Sequence, residues 1–138
     1  CDRRQRQMCI RDRRTVDFNI SHSGEFILAV FAVGMDIGVD VQEMAECPDY
    51  REIAENFYTA EEAEDVKNEG PDLFFQYWAA KEAYVKALGI GLGRGMDFFS
   101  VRNGKIAEKD KKDQDWFLYP VRIKGYAAYV AAHKKGDR

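Results

Sequence analysis

The stretch that decides the fold is "YWAAKEAYVKALGIGLG", residues 77–93. At about 100° per residue, its apolar residues continue a helical stripe that begins one turn earlier. Glycines at positions 89, 91, 93 and 95 follow the stripe, and glycine commonly ends helices because it adopts the left-handed conformation of a C-cap. The pattern therefore predicts one long helix over roughly residues 72–88. The stripe consists of Phe74, Tyr77, Trp78, Tyr84, Val85 and Leu88.

Three charged residues interrupt this helix. Lys81 falls inside the aromatic stripe, where its ammonium must either reach solvent along its stem or meet an anion. Glu82 and Lys86 lie on the flank of the stripe, four residues apart, a spacing that also suits an ordinary surface pair worth roughly 0.2–0.5 kcal/mol. The helix alone leaves a structural and a functional interpretation open for each of the three.

The glycine-rich run "GIGLGRG", residues 89–95, has the composition of a nucleotide-binding loop but not its context. In the dinucleotide-binding pattern the glycines precede a helix, so that the helix N-terminus meets the phosphates. Here they follow a helix, and we interpret them as a C-cap and a turn.

A second chemical segment is "GVDVQE", residues 38–43, which alternates as a strand does. Asp40 and Gln42 project from the same side of that strand, roughly 7 Å apart. A carboxylate and an amide oxygen at this spacing suit one hard cation, although an ordinary strand edge has the same pattern. Gly38 indicates either a bulge or a point of close backbone approach.

A third segment is "FNISHSGE", residues 18–25, which holds one of the two histidines of the chain. His22 lies between Ser21 and Ser23, and such a group of donors suits a phosphate oxygen. A histidine near a strand end is also commonly a surface residue with its hydrogen bonds satisfied, so the segment alone does not distinguish a phosphate contact from a structural role.

The remaining pattern predicts an α+β fold, because strands and helices alternate irregularly along the chain. "VDFNIS" and "FILAVFAV" are predicted strands, and the continuous apolar run of the second is typical of a strand buried on both faces. A helix over residues 50–57 comes next, and Thr59 with Glu62 forms a capping box that opens another helix. "FFSVRNGKI" indicates a hairpin-like pair that turns at residues 103–104, and two further strands lie near "DWFLYPVRI" and "YAAYVAAH".

Composition limits the classes of function. The 138 residues suit one domain, and the net charge of −3, from 21 basic and 24 acidic residues, argues against a general nucleic-acid binder. The longest apolar run, residues 26–34, is too short for a membrane span. The three cysteines have neither zinc nor redox spacing, which favours the cytoplasm.

The first fourteen residues, "CDRRQRQMCIRDRR", are highly basic and have no apolar period. The piece "MCIRDR" is similar to translated sequencing-adaptor sequence. We therefore expect residues 1–14 to be non-native, and residues 15–138 to form the domain.

Taken together, the order and spacing of these segments resemble the 4'-phosphopantetheinyl transferase superfamily. The most specific element is W-x-x-K-E-x-x-x-K-x-x-G-x-G, residues 78–91, with G-x-D at 38–40 and S-H-S at 21–23. The resemblance runs from about Val16 to Val101 and is strongest to the surfactin-synthetase-activating type, whose members have two similar halves in one chain. It implies a mixed or antiparallel sheet packed against the long helix. It also implies that this chain is the C-terminal portion of an N-terminally truncated pseudo-dimer, including the tail of the region between the halves.

Enzymes of this family transfer the phosphopantetheine arm of coenzyme A to a serine of an acyl or peptidyl carrier protein, with Mg²⁺. The resemblance implies a protein that is monomeric at full length, cytoplasmic, and without nucleic-acid or membrane partners. It implies Glu82 as the proton acceptor, directly or through water, or Lys86 as the group that moves a proton. By residue, it implies Asp40, Glu82 and Gln42 as metal ligands, and Ser21, His22, Lys81 and Lys86 as contacts to coenzyme A.

Two departures from the family keep alternatives open. Position 42 is glutamine where many relatives have glutamate, so one negative charge is lost at a ligand position. The missing first half leaves a non-catalytic remnant that binds coenzyme A and magnesium weakly as one alternative. Another is a trimeric single-half holo-acyl-carrier-protein synthase, which the S-H-S segment seventeen residues before G-x-D disfavours.

Overall fold

A computed structural model describes residues 7–9, 15–91, 95–108, 111 and 115–135. Most of the segment predicted to be non-native, the glycine at 93 and most of the polar loop at 109–114 lie outside the described residues. The elements are β1 (Gln7–Cys9), β2 (Thr15–Ser23), β3 (Phe26–Val33), β4 (Met35–Glu43), α1 (Tyr50–Phe57), α2 (Ala60–Glu69), α3 (Pro71–Leu88), β5 (Phe99–Ser100), a 3₁₀ turn (Arg102–Gly104), β6 (Ala107–Glu108), β7 (Trp116–Pro120) and β8 (Tyr126–Lys134).

The strands form three small antiparallel sheets, in the orders β1-β2-β3, β4-β8-β7 and β5-β6. Helix α3 packs on β4 and β8, and β2 and β3 also contact β4. The predicted α+β class, with an antiparallel sheet packed against a long helix, is confirmed. Strand β1 lies within residues 1–14 and pairs with β2, while the origin of that segment stays a prediction.

The long helix forms where the sequence predicts it, one residue earlier at its start. Pro71 occupies the first turn, and Gly89 closes the helix in the left-handed conformation with φ of 71°. The capping box at the start of α2 is also present, with the Glu62 and Thr59 side chains each accepting from the other's backbone N–H. Among the described residues, no helix combines the length and apolarity required to cross a bilayer.

The backbones of strand β4 and helix α3 are in direct contact at Gly38. A methyl group at Gly38 would collide with the carbonyl oxygen of Ala83 and come within 2.6 Å of the amide nitrogen of Ala87. The close-approach interpretation of Gly38 is therefore correct. This contact fixes which side chains of α3 lie beside β4.

Lys81 lies on the other flank of α3, in a fully buried ion pair. Its Nζ is 2.6 Å from Oε1 of Glu62, and both side chains have 0% exposure. The same Nζ donates to the carbonyl of Phe99 at 2.5 Å, while Glu62 Oε2 accepts from the backbone N–H of Val101 at 2.8 Å. Lys81 therefore meets an anion inside the protein, and the pair ties α2, α3 and the segment at β5 together.

The prediction that "FILAVFAV" is buried on both faces is wrong. β3 is an outer strand of its sheet, and Ile27, Phe31 and Val33 are 74%, 60% and 50% exposed. An apolar run indicates that a strand can be buried, but it does not indicate which faces of the strand pack against other elements.

Replacing Gly38 by alanine should destabilise the protein by about 1–3 kcal/mol, because the added methyl overpacks two backbones that cannot move independently. Gly91→Ala is the matched control, since nothing lies within 4 Å of a Cβ built there. Chemical unfolding measures both. Equal unfolding free energies for the two variants would show that α3 does not pack on β4 as described.

Lys81→Met should lower the free energy of unfolding by about 3–5 kcal/mol, because it leaves the Glu62 carboxylate buried without its counter-charge. Lys67→Met on α2, an exposed position, should change it little. The double variant Lys81→Met, Glu62→Gln should recover part of the loss, since neither charge then remains. Strict additivity of the two single effects would argue against the buried pair.

Candidate functional site

Strand β4 and helix α3 bring three charged side chains together next to the Gly38 contact. Asp40 of β4 is 4% exposed, and its Oδ1 is 3.6 Å from Nζ of Lys86 on α3. Lys86 also donates to the carbonyl oxygen of Val39 at 3.0 Å and to that of Ile20 at 3.4 Å. Its ammonium is thereby held at the junction of β2, β4 and α3, with 29% of the side chain still exposed.

The Asp40 carboxylate has two further partners. Gln42 Nε2 donates to Oδ2 at 2.8 Å, and the Ser21 hydroxyl lies 3.4 Å from Oδ1. Burial raises the pKa of Asp40 above its usual value, and these hydrogen bonds with the Lys86 charge only partly offset it. The carboxylate is therefore less well solvated by the protein than it is by water.

Glu82 completes the cluster from α3 and is half-buried. Its pKa is raised first by burial and second by the negative charge of Asp40, with Lys86 acting in the opposite direction. The Asp40 charge thus acts on Glu82, and the Lys86 charge opposes the rise in pKa at both carboxyls. The cluster has an excess of negative charge in a partly buried place, which favours binding of a cation.

The donors present fit magnesium. Mg²⁺ prefers oxygen ligands, keeps several waters, and is commonly held by one or two carboxylates together with substrate phosphates. Asp40 and Glu82 supply two carboxylates, which is a number that such sites commonly have. Among the described residues, no group of three or more His, Cys, Asp or Glu side chains is placed to hold a metal. In the structure Gln42 turns its amide nitrogen toward Asp40, so its oxygen reaches the same ion only if the amide reverses.

The other predicted contacts do not converge on this cluster. Ser21 and Ser23 face β4, where their hydroxyls accept from backbone N–H groups, whereas the strand pleat places His22 on the opposite, exposed face. The pleat therefore separates His22 from the two serines, and the contact of Ser21 and His22 with coenzyme A stays a prediction. Lys81 is likewise absent from the cluster, because its buried ammonium is held by Glu62.

Sequence reasoning missed Asn19, whose Oδ1 accepts from the backbone N–H of Val39 at 2.9 Å. The available signal was the alternation of polar residues at 17, 19, 21 and 23 along β2. Alternation normally marks a solvated face, but Asp17, Asn19 and Ser21 are 7%, 8% and 6% exposed. The alternation was visible in the sequence, whereas the burial was not.

The chain belongs to the 4'-phosphopantetheinyl transferase superfamily. The profile of that family, described as ACPS: 4'-phosphopantetheinyl transferase superfamily, matches residues 36–132. This range includes all of β4 except its first residue, the whole of α3, and the Asp40, Glu82 and Lys86 cluster.

Several individual proteins are similar to this chain. The 4'-phosphopantetheinyl transferase Sfp of Bacillus subtilis (strain 168) is 38% identical over 98 residues, which cover 68% of this chain and 42% of that protein. The 4'-phosphopantetheinyl transferase ffp of Bacillus subtilis is 40% identical with the same coverage. The L-aminoadipate-semialdehyde dehydrogenase-phosphopantetheinyl transferase of Rattus norvegicus is 29% identical over 88% of this chain and 47% of its own.

Among solved structures, a holo-(acyl-carrier-protein) synthase from Bacillus anthracis str. Ames, in complex with CoA (3',5'-ADP), has a similar fold. The TM-score is 0.56 at 23% identity, and the match covers 73% of this chain and 96% of that one. The chain spans less than half the length of the curated relatives named above, 42–47%. The predicted family and fold are confirmed.

Glu82→Gln should stabilise the metal-free protein slightly at pH 7, measured by thermal unfolding with a chelator present. A carboxyl whose pKa is raised in the folded state is disfavoured there when ionised, so removing the charge removes that penalty. The gain should disappear as the pH falls through the raised folded-state pKa toward 4.5, because the wild-type carboxyl is then protonated. Glu64→Gln, at an exposed position, is the control and should show no such gain; a loss of stability for Glu82→Gln at pH 7 would contradict the described electrostatics.

Proposed function

We propose that the protein carrying this chain transfers the 4'-phosphopantetheine group of coenzyme A to a serine of an acyl or peptidyl carrier protein. The observation that carries the proposal is the cluster of Asp40, Glu82 and Lys86, placed by β4 and α3 within the part of the chain that matches the family. The names of the relatives support the same activity, and the B. anthracis neighbour was determined in complex with CoA.

In this reaction the oxygen of the carrier serine attacks the β-phosphorus of coenzyme A, and the bond from that phosphorus to the oxygen of the leaving 3',5'-ADP breaks. The hydroxyl proton of the serine must pass to a base, and the leaving group departs as a phosphate. Negative charge therefore develops on both sides of the transferred phosphorus. Magnesium, when bound, would neutralise charge on the pyrophosphate oxygens.

The roles proposed for this chain's residues follow from their positions. Asp40 and Glu82 would hold the metal, with Gln42 as a third oxygen ligand if its amide reverses. Lys86 is partly exposed beside Asp40 and would bind a phosphate oxygen.

Glu82 would accept the proton of the serine, directly or through a water, and its partial burial keeps that carboxylate out of bulk solvent. Lys86 is the alternative group for moving a proton at the attacking or leaving oxygen.

His22 is retained as a proposed contact to coenzyme A, because its side chain is exposed near the end of β2. Lys81 is not, because an ammonium with no exposed surface and a carboxylate at 2.6 Å has nothing to offer a substrate phosphate. We also keep as proposals a carrier-protein partner, a monomeric full-length protein and a cytoplasmic location, which rest on the resemblance to the two-half transferases.

Labelling of a purified carrier protein by fluorescent coenzyme A tests the proposal, using the full-length protein that carries this chain. Asp40→Asn should reduce the labelling rate by about 10²-fold or more, because it removes a charged ligand from the site. Asp36→Asn on the same strand, where the carboxylate lies 3.7 Å from His133 instead, should leave the rate unchanged. Undiminished labelling by Asp40→Asn would overturn the assigned role.

Calorimetry separates transfer from the alternative of a non-catalytic remnant. Titration of the wild-type protein with coenzyme A and magnesium reports binding independently of transfer. Binding without any labelling of carrier protein favours the remnant, whereas binding with labelling supports the transferase.

A further inference from the structure

Side chains, rather than a neighbouring strand, satisfy the outer edge of β4. The edge that faces away from β8 presents the backbone N–H groups of Val39, Val41 and Glu43, and side-chain oxygens of β2 accept all three. The acceptors form one row along the inward face of β2, which we call the acceptor row: Asn19 Oδ1 to Val39 at 2.9 Å, Ser21 Oγ to Val41 at 3.1 Å, and Ser23 Oγ to Glu43 at 2.9 Å.

The acceptor row has the repeat of the strand itself. Acceptors and donors both advance by two residues, with a constant offset of 20 along the chain. Because the side chains of β2 bind the backbone edge of β4, β2 holds in place the segment of β4 that includes Asp40. A buried N–H without an acceptor costs about 1–3 kcal/mol, so the two buried hydrogen bonds, at Val39 and Val41, resist displacement of that segment.

The middle hydrogen bond of the acceptor row, at Ser21, also contacts the cluster of Asp40, Glu82 and Lys86. The Ser21 hydroxyl accepts from the N–H of Val41 and can donate its own hydrogen to Asp40 Oδ1 at 3.4 Å. One hydroxyl therefore connects the backbone on one side of Asp40 with the carboxylate itself. Asn19 holds the backbone on the other side, at Val39, whose carbonyl also accepts from Lys86.

We propose that Asn19 and Ser21 are positioning residues that orient Asp40 toward the metal shared with Glu82. This inference rests on the proposed function, and it assigns to Ser21 a role other than direct contact with coenzyme A. Both side chains are nearly buried, at 8% and 6% exposure, and their oxygens already serve β4. They act through the carboxylate of Asp40 and do not touch the substrate.

The test measures metal binding and substrate use separately in the full-length protein. Mn²⁺ replaces magnesium, and its binding is followed by loss of the free-ion EPR signal. Ser21→Ala should weaken Mn²⁺ binding by about 10-fold or more, the usual effect of removing a group that orients a metal ligand. The KM for coenzyme A at saturating Mn²⁺ should stay within about twofold of the wild type, because no contact to that substrate is lost.

Two further variants separate positioning from general packing. Ser21→Thr keeps the hydroxyl and should retain most of the Mn²⁺ affinity, whereas Asn19→Ala should weaken it in the same direction as Ser21→Ala. Ser100→Ala is the matched control, since it removes another hydroxyl that accepts from a backbone N–H, that of Arg102, away from the cluster. It should alter neither quantity, and thermal unfolding checks that each variant is folded.

Unchanged Mn²⁺ affinity in folded Ser21→Ala, or a raised KM for coenzyme A at saturating Mn²⁺, would overturn the inference. If Ser21→Ala does not fold, Asn19→Ala decides by the same criteria. The two proposals fail differently. A wild-type protein that binds Mn²⁺ but never labels a carrier protein refutes the transferase function, and an active enzyme whose variants bind Mn²⁺ normally refutes only the positioning roles.

Discussion

The backbone contact between Gly38 and helix α3 is the constraint on which the site depends. Only a residue without a Cβ lets strand β4 approach the carbonyl of Ala83 and the amide of Ala87 this closely. Two residues further along the strand, this places Asp40 beside Lys86 and within electrostatic reach of Glu82. A larger residue at position 38 would move the helix outward, so the glycine sets the distance between the two carboxylates that are proposed to share a cation.

The two charged clusters on α3 differ in how far their buried charges are neutralised. Lys81 and Glu62 form a one-to-one pair that is fully buried, and each partner also has a backbone hydrogen bond. The two charges therefore neutralise each other. Asp40 is paired with Lys86, and burial raises the pKa of both the Asp40 and the Glu82 carboxyl. The first cluster fixes α3 against α2 and the segment at β5. In the second, the Lys86 charge only partly offsets the burial of the two carboxyls, which suits the cation site proposed there.

The sequence predicted well what depends on local periodicity. Helix α3, its glycine cap and the common side of Asp40 and Gln42 follow from helical and strand geometry, and the structure has all three. It predicted poorly what depends on partners distant in the chain. The resemblance implied that Lys81 contacts coenzyme A, whereas in the structure Lys81 pairs with Glu62. The sequence identified Glu62 only as a helix cap, and its side chain serves both purposes. The acceptor row was hidden for the same reason, since polar alternation in β2 does not reveal that the edge of β4 lies against it.

Asp40 and Glu82 are proposed to hold one metal ion between a strand and a helix. Anomalous diffraction at the manganese edge, from crystals of the full-length protein grown with Mn²⁺ and coenzyme A, tests it most directly. The account predicts a single strong peak about 2.0–2.3 Å from an oxygen of each carboxylate, with Lys86 next to a phosphate of the substrate. A peak that contacts only one of the two carboxylates, or ordered coenzyme A with no metal between them, would contradict it.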